Sequence, residues 1–144
     1  MMNMSEFIER VLGILKHRRV NFVVHGAVAM GIHGYSRATR DLDIIVITPG
    51  NEIIDILTQY GFRVFKPQWT DTGLIYRFSL DNWLLDVFVE GDWGEWRRIK
   101  QASLTTTLYG HRVKVISKHD LIKRKLMRAS FKDLADVHAL RYMK

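Results

Sequence analysis

Three aspartates stand in stretches that otherwise read as apolar strands. Asp41 and Asp43 open the run Asp41-Leu42-Asp43-Ile44-Ile45-Val46-Ile47. Side chains alternate along a strand, so both carboxylates point to the same face at one end of it. Two such groups roughly 6–7 Å apart repel each other. Asp86 is a lone acid inside Trp83-Leu84-Leu85-Asp86-Val87-Phe88-Val89, where a charge is costly unless paired, protonated or bound to metal. If the two strands are neighbours, all three acids converge. Each like-charged pair at about 4 Å then costs on the order of 4 kcal/mol at an effective dielectric near 20. A divalent cation removes that cost, and oxygen-only ligands suit Mg²⁺ or Mn²⁺ rather than zinc. The alternative leaves Asp41 and Asp43 facing water and gives Asp86 to an arginine such as Arg40 or Arg77.

A second feature lies fifteen residues before Asp41, where His25-Gly26-Ala27 turns a strand into a helix. Backbone N–H groups at such a turn can hold a phosphate, although glycine also serves simply to let the chain turn. Arg37, Thr39 and Arg40, just before the acids, add donors for phosphate oxygens. Further cations crowd the end of the chain. Residues 1–96 hold nine Lys/Arg and twelve Asp/Glu, a net of −3, whereas residues 97–144 hold thirteen and three, a net of +10. That asymmetry suggests an anionic partner, most simply phosphate, against the plain reading of a solvated lysine-rich helix face. Of Lys118, Lys125, Arg128 and Lys132, Lys125 is the first choice for a triphosphate contact, because Ile122 and Leu126 are expected to hold it near the sheet. The histidines have no metal-ligand spacing and read as packing or capping groups. Trp83, Trp93 and Trp96 read as core before they read as base-stacking groups.

The elements that must position these groups follow from pattern. Asn3 with Glu6 opens a helix to about residue 18, with Phe7, Ile8, Val11, Leu12 and Leu15 on one face. Residues 20–25 form a strand, 27–33 a short helix and 41–47 the strand led by the two acids. Pro49 takes the first position of the next helix, which Gly61 ends. Residues 62–65, 74–80 and 83–89 read as strands, the last two joined by an Asp81-Asn82 turn. Residues 91–96 are a Trp-rich, Gly-containing stretch, and 105–109 with 112–116 form a hairpin about Gly110. Ser117 with Asp120, and Ser130 with Asp133, start two closing helices. The fold class is therefore α/β or α+β, a mixed β-sheet flanked by helices with two C-terminal helices.

Composition closes off other classes. A chain of 144 residues with 47% hydrophobic and 26% charged residues is neither disordered nor collagen-like, and reads as one domain, 1–144. With no cysteine, it can hold no disulfide, zinc-thiolate site, iron–sulfur cluster or cysteine nucleophile. No apolar run approaches the roughly 18–20 residues that span a bilayer. The amphipathic N-terminus carries Glu6 and Glu9 and reads as a surface helix, so a cytoplasmic protein is expected.

Val24-His25-Gly26-Ala27-Val28-Ala29-Met30, followed by His33-Gly34-Tyr35-Ser36-Arg37-Ala38-Thr39-Arg40-Asp41-Leu42-Asp43, resembles the nucleotidyltransferase superfamily, the polymerase-beta-like fold. Its pattern is a strand, a Gly-Ser or Gly-Gly turn, a short helix, then Asp-x-Asp or Asp-x-Glu on the next strand. A third acid follows some forty residues later, and Leu85-Asp86-Val87 matches it. The run from Ser117-Lys118-His119-Asp120 to Asp136-Val137 is similar to the closing helices of small bacterial members related to AbiEii-type toxins. Ala27 departs from the pattern: without a serine hydroxyl, only backbone donors remain at the turn. The resemblance implies that Asp41 and Asp43 are metal ligands and that Gly26 and Ala27 form the phosphate turn. It makes Asp86 the third acid, which ligates a second metal and helps deprotonate the acceptor.

The activity so implied is Mg²⁺- or Mn²⁺-dependent transfer of a nucleoside monophosphate from an NTP such as ATP to a hydroxyl, releasing pyrophosphate. The acceptor is open between a small molecule, a tRNA end and a protein side chain. Two other expectations stand beside it. One is a non-catalytic partner or antitoxin subunit that pairs with a small helical protein; the other is a nucleic-acid-binding module that uses the basic tail.

Overall fold

The computed structural model describes residues 1–36, 38–70, 73–128 and 131–142. Helix α1 (Met4–His17) begins with a capping box: the Asn3 side chain accepts from the Glu6 N–H while the Glu6 carboxylate accepts from the Asn3 N–H. Its apolar stripe is the expected one, with Ile14 added, and is buried against the sheet. Phe7 meets the rings of Phe62 and Trp83, and the Trp83 indole N–H donates to the Met2 carbonyl. Trp96 is buried as well, but Trp93 is exposed.

Strand β1 (Phe22–His25) runs into α2 (Gly26–Ile32), and β2 (Asp41–Val46) leads to α3 (Gly50–Gln59). Pro49 sits at the N-cap of α3 rather than inside its first turn. A Cβ on Gly50 would fall about 2.2 Å from the Tyr76 ring, so the helix can dock there only with glycine. Then come β3 (Arg63–Val64), β4 (Gln68–Thr70), β5 (Gly73–Leu80) and β6 (Trp83–Val89). Asp81 and Asn82 form the β5–β6 turn, both with positive φ, as a tight hairpin of this kind needs. Helix α4 (Trp93–Ala102) arises where the Trp-rich stretch stood, capped by the Asp92 side chain. The hairpin β7 (Leu104–Leu108) and β8 (His111–Val115) follows, then α5 (Lys118–Arg128) and α6 (Phe131–Tyr142). Ser117 caps α5 by accepting from the Asp120 N–H. Ser130, the expected cap of α6, lies outside the described residues.

Among the described residues the eight strands make one mixed sheet in the order β3-β5-β6-β2-β1-β8-β7, with β4 paired to β5. The β2–β6 and β1–β8 pairs are parallel, and the other pairs are antiparallel. One face is dry: Leu42, Ile44, Leu85 and Val87 are all fully buried. The other face carries the acids.

Candidate active site

Strand order decides what meets the acids. Along β2, Leu42 and Ile44 are buried on one face while Asp41 and Asp43 are half-buried on the other, the alternation a strand imposes. Because β2 lies between β1 and β6, Asp43 is flanked by His25 on one side and Asp86 on the other. Strand β5 then sets Arg77 opposite Asp86. A single row, His25–Asp43–Asp86–Arg77, crosses four strands at roughly 4.8 Å per step. Asp41 sits on the same face, two residues back along β2. The three acids do converge.

Arg77 answers the repulsion. Its Nε donates to Asp86 Oδ1 at 2.8 Å and its Nη2 to Asp86 Oδ2 at 2.9 Å, a bidentate fork. The same Nη2 stands 3.8 Å from Asp41 Oδ2. The hydrogen bond to Asp86, then the charges of Asp86, Asp41 and Asp43, raise the Arg77 pKa above its already high ordinary value, so the guanidinium stays charged. Asp41 feels the reverse balance. Burial first, then repulsion from Asp86, lifts its carboxyl above the ordinary value of 3.8, against the pull of Arg77 and Lys132.

Gly26 is the other fixed point. Its φ of +69° is left-handed, and a Cβ there would lie 2.0 Å from Asp43 Oδ2 and 2.9 Å from Asp43 Cβ. Glycine is thus required by the backbone turn and by the carboxylate pressed against it. A small cleft beside this contact is lined by His25, Gly26, Asp43, Phe88, Leu121, Arg124 and Lys125. The His25 ring packs edge-on to Phe88 with centroids 4.4 Å apart, and the Arg124 guanidinium lies over the same Phe88 ring. His33 is a structural tie, its Nε2 lying 2.7 Å from the Ile116 carbonyl oxygen.

Other expected site residues fall differently. Lys125 is buried and lines the cleft, but its ammonium donates to Asp136 Oδ2 at 2.9 Å. Of the residues expected to hold Lys125 inward, Ile122 packs against the core but Leu126 is exposed; Leu121, one turn earlier, is buried. Ala27 is buried behind Gly26. Thr39 accepts from the Asp41 N–H and donates to the Asp41 carbonyl, so its hydroxyl orders the start of β2. Arg40 is exposed, and its carbonyl accepts from the Leu84 N–H at the edge of the β2–β6 ladder. Arg37 lies outside the described residues. Three cations gain weight instead: Arg77, Arg124 and Lys132. The sequence offered Arg77 and Lys132 only as one choice among several, and no pattern marked Arg124.

Among the described residues, no group of three His, Cys, Asp or Glu side chains is arranged to hold a metal ion. The donor set fits a metal in part. Asp41 and Asp43 offer carboxylate oxygens from one face of one strand, and Mg²⁺ is commonly held by one or two carboxylates with phosphate oxygens and water completing the shell. Asp86 has both oxygens hydrogen-bonded to Arg77, with one lone pair left on each.

No protein-family model matches this sequence, and no curated protein matches it either. Solved structures do. The antibiotic-resistance factor ANT(2″)-Ia superposes with a TM-score of 0.66 at 17% identity, over 94% of this chain and 81% of its own. Lincomycin-bound LnuA, a lincosamide antibiotic adenylyltransferase, gives 0.66 at 14% identity over 99% and 98%. TM1012 of Thermotoga maritima gives 0.67 at 16% over 97% and 93%. At such identities the likeness is one of architecture: this chain has the nucleotidyltransferase fold.

Proposed function

We propose that this protein transfers a nucleoside monophosphate from an NTP to a hydroxyl acceptor, releasing pyrophosphate. The observation that carries the reading is the convergence of Asp41, Asp43 and Asp86 on one sheet face, with Gly26 pressed against Asp43. Asp41 and Asp43 would hold Mg²⁺ or Mn²⁺. When bound, such an ion neutralises charge on the triphosphate and orients it for in-line displacement. The acceptor oxygen forms a bond to the α-phosphorus as the bond to the bridging oxygen breaks, and pyrophosphate leaves with that electron pair. The acceptor proton goes to a carboxylate, for which Asp86 is our choice. Each of its two oxygens accepts one hydrogen bond from Arg77 and keeps a second lone pair for the acceptor proton. Arg124 and Lys132 are placed to add positive charge, the first at the cleft and the second within electrostatic reach of Asp41.

ANT(2″)-Ia carrying adenylyl-2″-tobramycin and LnuA carrying lincomycin support a small-molecule hydroxyl as the acceptor class here. The direct test incubates the protein with each of the four NTPs, Mg²⁺ or Mn²⁺ and candidate acceptors, and measures pyrophosphate. Release with the parent and none with Asp43→Asn is expected. Neither NTP binding nor release under any combination would sink the reading. The Arg77–Asp86 fork favours one rival, a non-catalytic member of the fold that docks a small helical protein. Co-purification of such a protein, without metal binding, would decide for it.

A further inference from the structure

A second charged feature lies at the opposite end of β1 from Gly26. A groove of about 380 Å³ there is lined by Lys16, Arg19, Lys100, Arg112 and Lys114 over a floor that includes Val20, Phe22 and Val113. Four separate parts of the chain supply the cations: the last turn of α1, the turn after it, the end of α4, and β8. No carboxylate lines the groove, and none of the five cations forms an ion pair among the described residues. Three cations elsewhere are matched, Arg77 with Asp86, Arg98 with Asp120 and Lys125 with Asp136; what sets the groove apart is that five cations gather around one concavity.

Helix ends account for part of this. Lys16 and Lys100 sit in the last turns of α1 and α4, where a cation offsets the helix dipole. Lys16 Nζ also donates to the Arg112 carbonyl and Lys100 Nζ to Asn21 Oδ1. Lys114 Nζ donates to Thr105 Oγ1 on the paired strand, and Arg19 and Arg112 add two further charges to a place that already repels them. Arg19 takes its left-handed φ of 57° as the residue that closes α1, its N–H donating to the Lys16 carbonyl and the Val20 N–H to the Leu15 carbonyl.

We propose that this groove binds the phosphodiester backbone of a single-stranded nucleic acid. Two guanidiniums and three ammoniums around a concavity are suited to phosphate, with arginine forks for oxygen pairs and lysines as point charges. The cations lie around an open concavity rather than on a flat face, which a flexible single strand can follow and a planar bilayer surface cannot. Phe22 begins the strand that ends at His25, so the groove lies roughly 10–13 Å from the Gly26 turn. One mononucleotide cannot fill both places. The groove is therefore a place apart from the proposed nucleotide site.

The test is fluorescence anisotropy with a labelled single-stranded RNA of about 12 nucleotides, titrated between about 50 and about 200 mM salt. Binding should weaken with salt by a log–log slope of about −0.7 per phosphate engaged. The double variant Arg19→Gln/Arg112→Gln should lose tenfold or more in affinity and flatten the slope by about 1.4, two contacts' worth. Arg63→Gln/Lys66→Gln removes the same charge from exposed positions elsewhere and should change little. Asp41→Asn, which disables the proposed transfer site, should bind RNA as the parent does. No binding at low salt would overturn the proposal, as would equal losses in the two double variants. Displacement by inorganic triphosphate at matched phosphate concentration would also overturn it, as would capture by anionic-lipid vesicles in place of RNA.

Discussion

Arg77 reaches Asp86 across the β5–β6 ladder and takes both of its carboxylate oxygens, at 2.8 and 2.9 Å. The acid is buried and the arginine is 44% exposed, so the pair joins the sheet interior to solvent. This fork lets three carboxylates share one sheet face before any metal is bound. It also reverses what repulsion alone would predict for Asp86. Were the acids merely crowded, Asp86→Asn would leave the metal-free protein as stable as before or more so.

With the fork in place, removing either partner should destabilise. Arg77→Met leaves three acids without their shared cation and should cost about 2–3 kcal/mol at neutral pH, the range for losing a charged hydrogen bond beside a buried group. Asp86→Asn should cost less, about 1–2 kcal/mol, because the exposed end of the guanidinium recovers water. Urea denaturation without metal checks both. Added Mg²⁺ should restore part of the Arg77→Met loss, and equal midpoints for all three proteins would mean that the fork adds nothing.

For catalysis the three acids should separate. Asp86→Asn should leave NTP–Mg²⁺ binding within a few-fold while transfer falls by about 10²-fold or more, as expected from lost acid–base help. Asp41→Asn and Asp43→Asn should lose metal-dependent NTP binding together with transfer. Calorimetric titration beside a pyrophosphate assay distinguishes the patterns, and a weak-binding but active Asp86→Asn would reverse the assignment.

Gly26→Ala places a methyl where the Asp43 carboxylate sits and forces a non-glycine residue to a φ of +69°. Left-handed backbone alone costs roughly 1–2 kcal/mol, so with the steric overlap a total near 2–4 kcal/mol is expected. Metal-dependent NTP binding should fall with it. A Gly26→Ala protein within about 0.5 kcal/mol of the parent, inside the usual range for neutral surface changes, would show that Asp43 has room to step aside.

Asp41 carries a pH signature. Its folded-state pKa is raised, chiefly by burial, so the folded protein binds a proton more readily than the unfolded chain. Acidification from neutral pH through that raised value therefore stabilises the fold relative to the unfolded state, and ionised Asp41 is a liability above it. Asp41→Asn should melt higher than the parent at neutral pH without metal. The advantage should shrink as pH falls and vanish below the ordinary value of 3.8. Melting curves of the two proteins across this window test the sign, and a gap that widens in acid would contradict it.

Lys125 and Lys132 should part by role. Lys125→Ala removes a cationic partner of the buried Asp136 carboxylate and should cost about 1.5–3 kcal/mol, the range for a lost hydrogen bond to a charged group. Lys132 is exposed at the start of α6, so Lys132→Ala should leave stability unchanged and weaken NTP binding by about 1.5–3 kcal/mol, the range for a charged contact. Denaturation and calorimetry together read both effects. Intact stability with weak NTP binding in Lys125→Ala would return the triphosphate role to Lys125.

Local pattern carried much of this molecule. The capping box at Asn3 and Glu6, the apolar stripe of α1, the Asp81-Asn82 turn and the common face of Asp41 and Asp43 each depend on residues a few positions apart. Helical and strand periodicities express them directly. Helix α4 was less legible, because Trp93-Gly94-Glu95-Trp96 carries two bulky aromatics and a glycine, and burial of Trp96 and Ile99 settles its conformation. Pairing between distant segments belonged to the tertiary structure alone. Arg40 and Arg77 were equal candidates for Asp86 until the β5–β6 register set Arg77 across from it. The ion pair between Lys125 and Asp136 exists only because α6 packs on α5. The groove cations come from residues 16 to 114, and the net charge of each half of the chain says nothing of their meeting. Periodicity fixes which way a side chain faces, whereas its neighbour is set by strand order and helix docking, which depend on the burial of the whole apolar surface at once.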